Sequence, residues 1–145
     1  MAFLRGDTAV KTISFTVPGS PIGQGSMRHI GGGRMIASND KALKTWRESV
    51  ALAVQQERNR LQDVVQFTGA VRLDVQFCVE RVKAAKDRAY PVTPYDLDKL
   101  IRSIGDGISV NCDLLVNDSQ IVVINATKVF ADGCPYGGHI TVTEL

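Results

Sequence analysis

Residues 96–130, DLDKLIRSIGDGISVNCDLLVNDSQIVVINATKVF, decide the fold, because they hand a helix to a strand through one short connection. Leu97, Leu100, Ile101, Ile104 and Ile108 recur at the intervals of a single helix face. The helix therefore runs from near Asp96 to near Gly107 or Ile108. Its start is capped either by Thr93, with Pro94 at the first helical position, or by Asp96 itself. Residues 120–130 are dense in β-branched side chains and form the most strand-like run in the chain.

Working outward, residues 70–80 alternate Val71, Leu73, Val75, Phe77 and Val79 with more polar neighbours, the pattern of a half-buried strand. The basic stretch RVKAAKDRAYPVTP follows as a loop ending in two prolines. Towards the N-terminus, KTISFTV at 11–17 reads as a strand stopped by Pro18 and Gly19. A long helix spans about Ser38 or Asn39 to about Arg60, with Leu43, Trp46, Val50, Val54 and Leu61 at helical spacing and Trp46 in the core. The segment between them, GSPIGQGSMRHIGGGR, is glycine-rich and reads as an irregular loop carrying Arg28, His29 and Arg34. A turn through 131–138 leads to a last strand at His139 to Thr143. The order β-α-β-α-β-β predicts an α+β fold for residues 1–145 as a single domain, with a mixed four-stranded sheet and two helices on one face.

A chain of 145 residues with 44% hydrophobic content can bury one core and is too short for two ordinary domains. It has no apolar run near the roughly eighteen residues of a membrane span, and its start, MAFLRGDTAVK, has no long apolar leader. A cytoplasmic protein without membrane contact is expected. Cys78, Cys112 and Cys134 are odd in number and lack C-x-x-C spacing, which predicts free thiols and neither a disulfide framework nor a zinc site. No phosphate-loop spacing occurs, so no nucleotide cofactor is expected.

The net charge of +2 conceals an uneven distribution. Cations concentrate at 28–47 and 81–88, and acids from Ser103 onward. Asp96 and Asp98 open the second helix, Asp106 lies further along it, and Asp118 precedes a strand. Carboxylates gathered in one place repel one another unless a hard divalent cation holds them. Such a cation, bound by Asp96, Asp98 and Asp118, suits phosphoryl chemistry, with Arg102 one turn beyond Asp98 to hold the phosphate. The spacing equally allows ordinary ion pairs among Asp98, Arg102 and Asp106. His29 and His139 belong to no catalytic motif.

The run TPYDLDKLIRSIGDGISVNCDLLVNDSQIVVINATKVF resembles the signature of the RusA family of Holliday-junction resolvases: Asp-x-Asp opening a helix, a basic residue one turn on, then Asp-Ser-Gln entering a strand. FTVPGSPIGQGSMRH, followed by a basic helix with Trp46 and Arg47, is similar to phage-borne members. The resemblance implies a homodimer, with two helices building a shared interface, that cuts four-way DNA junctions with Mg²⁺, Mn²⁺ substituting. It implies Asp96, Asp98 and Asp118 as catalytic metal ligands and Arg102 at the phosphate. Three positions depart from the family pattern: Lys99 replaces a usual Asn, Arg102 a usual Lys, and Asn117 a frequent Asp. Lys99, Asp106 and Asn117 would support the ligands. Arg28, Arg34, Lys83, Lys86 and Arg88 are the expected contacts to the backbone of branched DNA. The rival expectation is a non-catalytic DNA-binding or assembly protein whose acids are structural.

Overall fold

The structure, a computed structural model, describes residues 10–24, 27–31, 34–37, 40–92 and 96–145, with the backbone alone at 27–31, 34–37, 40 and 84. The main sheet contains β1 (Thr12–Pro18), β4 (Val71–Val79), β5 (Ile121–Phe130) and β6 (Gly137–Glu144) in the order β1-β6-β4-β5. β4 and β5 are parallel, and the other pairs are antiparallel. Parallel neighbours need a crossover, and α2 (Leu97–Ser109) supplies it. Thr93 and Pro94, the alternative cap, lie outside the described residues.

Alternate strand residues explain the single core. Ile13, Phe15 and Val17 of β1, Val71 to Phe77 at every second position of β4, and Ile140 and Val142 of β6 are buried on one sheet face. Trp46, Val50 and Val54 of α1 (Asp40–Leu61) and Leu100, Ile104 and Ile108 of α2 complete the cluster. Each such side chain contributes about 1.5–3 kcal/mol by leaving water. Gly107 lets the helices cross closely, since a β-carbon there would stand 2.9 Å from Val50 Cγ1. Beside that crossing Trp46 Nε1 donates to Ser103 Oγ at 3.1 Å, which satisfies the indole inside the core. The opposite sheet face is polar; Ser14 and Thr141 share a hydroxyl hydrogen bond of 2.8 Å, and Arg72 pairs with Asp74.

Beyond α1 the chain turns at Gln62, whose φ is 54°, and Asp63 N–H donates back to Arg58 O at 3.1 Å. Arg58 is itself buried. Its guanidinium donates to Val65 O through Nε (3.0 Å) and Nη2 (2.7 Å) and to Cys112 O through Nη1 (2.9 Å), joining the end of α1 to the loop after α2.

Two expectations are corrected. The glycine-rich segment forms a hairpin, β2 (Met27–Gly31) paired antiparallel with β3 (Arg34–Ala37), because its glycines concentrate at 31–33, between two runs able to extend. Cys78 and Cys134 form a disulfide across a sequence separation of 56, which local spacing could not reveal; Cys112 alone is free, and burial pushes its thiol up from the usual cysteine value. Within the apolar stripe of α2, Leu100, Ile104 and Ile108 are each 0% exposed, while Leu97 and Ile101 are half-buried.

Candidate metal centre and nucleic-acid interface

Asp96 is the N-cap of α2 in extended geometry, yet its side chain makes no capping bond. Its carboxylate instead pairs with Lys99 Nζ at 3.3 Å, so the lysine at this position partly neutralises it. Asp98 lies in the first turn, where the helix dipole favours an anion. Arg102 follows one turn on. Both are exposed and neither has a hydrogen-bond or ion-pair partner among the described residues. The i,i+4 ion pairs that spacing allowed between Asp98, Arg102 and Asp106 are therefore not formed there.

Asp106 is engaged by another element. Its Oδ2 accepts from Gln24 Nε2, and Gln24 N–H donates to Lys99 O at 2.9 Å, which lays the loop after β1 along α2. Gln24 Oε1 is buried beside them without a partner among the described residues.

Asp118 stands at the head of a short 3-10 turn, Asp118–Gln120. Asn117 Oδ1 accepts from Ser119 N–H at 2.8 Å, and Gln120 Oε1 accepts from the N–H groups of Asn117 and Val116 at 2.9 and 2.7 Å. Gln120 Nε2 donates to Phe67 O and Gly69 O, both at 2.9 Å. Asn117 and Gln120 thus lock the turn that presents Asp118. The carboxylate meets α2 at Gly105: a β-carbon there would stand 3.6 Å from Asp118 Cβ and 3.9 Å from Oδ2. Asp118 is exposed and has no partner among the described residues.

Asp98, Arg102 and Gly105 are spaced along one side of α2, so Asp98 and Asp118 bracket Arg102 instead of meeting. The seven residues from Asp98 to Gly105 correspond to about 10 Å of helix. Asp118 also lines a hollow of about 190 Å³ with Asp106, Ser109, Asp113 and Asn117. Among the described residues, the group of three metal-ligating side chains whose donor atoms fall within 4.8 Å of one another is Cys78, Cys134 and His139, and Asp96, Asp98 and Asp118 form no such group. The oxygen donors of Asp98 and Asp118, unpaired and open to solvent, do suit a hard cation.

Of the expected DNA contacts, Lys83 and Lys86 are exposed around a 3-10 turn, Lys83–Ala85, in the loop that runs into α2, and Arg88 is exposed beyond them. Arg28 and Arg34 fall on β2 and β3, whose side chains lie outside the described part. Arg81, the first cation of this run, faces inward. It pairs with Asp132 at 2.6 Å, stacks 3.9 Å over Phe130, and donates through Nη1 to Ala85 O, Lys86 O and Arg88 O at 2.9, 3.3 and 2.7 Å. The partnership holds the Asp132 carboxyl below, and the Arg81 guanidinium above, its ordinary pKa. Sequence reasoning missed Arg81, Gln24, Gly105 and Gln120. Only Gln120 carried a signal, its place in the Asn-Asp-Ser-Gln capping pattern.

Residues 18–143 match the family model described as Endodeoxyribonuclease RusA, and the chain belongs to that family. No curated protein matches it.

Proposed function

We propose that this RusA-family endodeoxyribonuclease is structure-selective and resolves four-way DNA junctions by paired phosphodiester hydrolysis in recombination and repair, within the cytoplasm, that of the host if the gene is phage-borne. The observation that carries the reading is the pair of carboxylates, Asp98 and Asp118, on either side of Arg102 along α2, all three without a partner among the described residues. Exposed carboxylates on either side of a guanidinium offer oxygen donors for a hard cation beside a fork for a phosphate.

Asp98 and Asp118, with Asp96 after release from Lys99, would bind one or two Mg²⁺, a separate ion at each end of the span between Asp98 and Asp118 suiting their separation, with Mn²⁺ able to substitute. The bound ion would supply Lewis acidity at the scissile phosphate and lower the pKa of the attacking water. Arg102 would donate to the non-bridging phosphate oxygens, where negative charge grows towards the transition state. As an arginine it keeps its charge throughout and offers a bidentate fork, so it acts as a clamp and takes no part in proton transfer. Asn117 and Gln120 hold Asp118 in place. Lys83, Lys86, Arg88, Arg28 and Arg34 would position the duplex arms through backbone phosphates.

Two symmetric cuts call for two equivalent sites, which a two-fold homodimer supplies. Besides the half-buried Leu97 and Ile101 of α2, β5 offers a surface for a second copy. It is an edge strand of the sheet, and Val122, Val123 and Ile124 are 60%, 42% and 50% exposed. Antiparallel pairing of β5 with its symmetry mate would cover both the apolar side chains and the open backbone edge.

The deciding experiment offers a labelled four-way junction to the protein with Mg²⁺ and with EDTA. Paired nicks in Mg²⁺ and intact junction in EDTA are expected. Tight binding with no cleavage in any divalent ion would overturn the proposal in favour of a non-catalytic DNA-binding protein.

A further inference from the structure

The sheet face turned away from the helices carries a second group of ligating atoms, remote in the fold from the acids of α2. Gln76 and His139 are register partners on β4 and β6, as are Cys78 and Gly137. Cys78 and His139 are thus diagonal neighbours on one face. Cys134, in the turn between β5 and β6, folds onto them, and the Sγ atoms of Cys78 and Cys134 and a ring nitrogen of His139 all lie within 4.8 Å of one another.

The disulfide accounts for the two sulfurs and leaves the histidine unexplained. His139 Nδ1 lies 3.3 Å from Thr16 Oγ1 on the neighbouring strand β1. With Nδ1–H donating to that hydroxyl, the lone pair resides on Nε2. Nε2 is buried and has no hydrogen-bond partner among the described residues. A buried acceptor with nothing to accept from is a costly feature that calls for a ligand. An imidazole with one nitrogen beside a hydroxyl, the other buried without a partner among the described residues, and a ring nitrogen within 4.8 Å of two sulfurs has the features of an oriented metal ligand.

We propose that, when the Cys78–Cys134 disulfide is reduced, Cys78, Cys134 and His139 form a Cys2His site for Zn²⁺, so that the same two cysteines hold either a covalent bond or a metal ion. Two thiolates and one imidazole are a borderline-soft donor set that selects zinc over the magnesium suited to carboxylates. A small external ligand completes the tetrahedron. The chemistry balances with a dithiol as reductant: the S–S bond takes two electrons and two protons to give two thiols, and the dithiol becomes a cyclic disulfide. Zn²⁺ then displaces both thiol protons to solvent. With Zn–S bonds of about 2.3 Å the sulfurs sit about 3.8 Å apart, so the disulfide must open before the ion enters.

Full-length protein carrying Cys112→Ser, reduced with a phosphine and kept anaerobic, is titrated with Co²⁺ as a spectroscopic probe, followed by Zn²⁺. The expected result is one equivalent of Co²⁺ giving thiolate-to-metal charge transfer and tetrahedral ligand-field bands, both erased by Zn²⁺ and absent from the oxidised protein. Cobalt at the carboxylates gives no sulfur band, so the acidic site does not interfere. His139→Ala should weaken Co²⁺ binding at least about tenfold, and Thr16→Val by about tenfold through loss of the Nδ1 partner. Circular dichroism confirms that each variant is folded. Reduced protein without a sulfur charge-transfer band, a band that survives Cys134→Ser, or an affinity indifferent to His139→Ala in folded protein would each overturn the proposal.

Discussion

Asp118 rests on Gly105: its Oδ2 lies 3.9 Å from the point where a β-carbon on residue 105 would stand. That separation is ordinary van der Waals distance, so Gly105→Ala should be accepted and, in mid-helix, should add about 0.5–1 kcal/mol of stability. Gly105→Leu has no such room, with Asp118 and Ile121 both beside it. It should cost about 1–3 kcal/mol and displace the carboxylate, so cleavage falls while junction binding persists. Thermal unfolding and a junction-cleavage time course check the pair; equal activity in both variants would detach Asp118 from the site.

Asp98→Asn and Asp118→Asn should each lower cleavage by about 100-fold or more. Junction affinity should hold or rise, because affinity comes from the cations and removing negative charge favours a polyanion. Gel-shift titration beside the cleavage assay separates these effects. A variant that cuts at the wild-type rate removes that residue from the site.

Lys83 and Lys86 are exposed on the loop that Arg81 pins from beneath. Replacing each with alanine should weaken junction binding and reduce the log–log salt slope by about one unit for every phosphate the lysines had neutralised. An unchanged slope assigns both to a solvated loop. Arg81→Ala should lower affinity too, with a slope that changes less, since it loosens the loop without deleting an outward charge.

Arg58→Met keeps much of the aliphatic bulk of the side chain and removes three hydrogen bonds to buried or part-buried carbonyls. It should destabilise the fold by about 3 kcal/mol, read as a lower urea midpoint with the slope preserved. A midpoint within experimental error of wild type would show that water replaces the guanidinium.

Val123→Lys on the outer edge of β5 should leave the fold intact, since Val123 is 42% exposed in the single chain. It should convert a dimer that sediments as such at micromolar concentration into a monomer, and paired nicks into slow single ones. Mixing wild-type subunits with excess Asp118→Asn subunits should give mostly single-nicked junctions, because each mixed dimer keeps one competent site. A monomeric wild type that resolves junctions fully would refute the two-fold arrangement.

Much of the fold was legible in sequence because its signals are local. The stripe from Leu100 to Ile108 and the alternation from Val71 to Val79 record, residue by residue, which side of an element meets the core. The glycine-rich strand pair was missed because composition registers the glycines at 31–33 more strongly than the short strands on either side of them. The site was legible only as a set of candidates, Asp96, Asp98, Arg102 and Asp118. Spacing could not tell that Lys99 would take Asp96, that Gln24 would take Asp106, or that Arg102 would be left without either acid.

By itself the sequence determined the order of elements, the faces they bury and the kind of chemistry available, since periodicity and side-chain type act within a few residues of their own position. Tertiary structure alone decided that Asp118 meets α2 at Gly105, that Arg81 and Arg58 turn inward to hold carbonyls, that β5 is left as an edge, and that Cys78, Cys134 and His139 converge. Each of these pairs an atom with a partner that only the packed sheet and helices bring within reach. The free energy of such pairings depends on distance and burial in the folded chain, quantities that separation along the sequence does not encode.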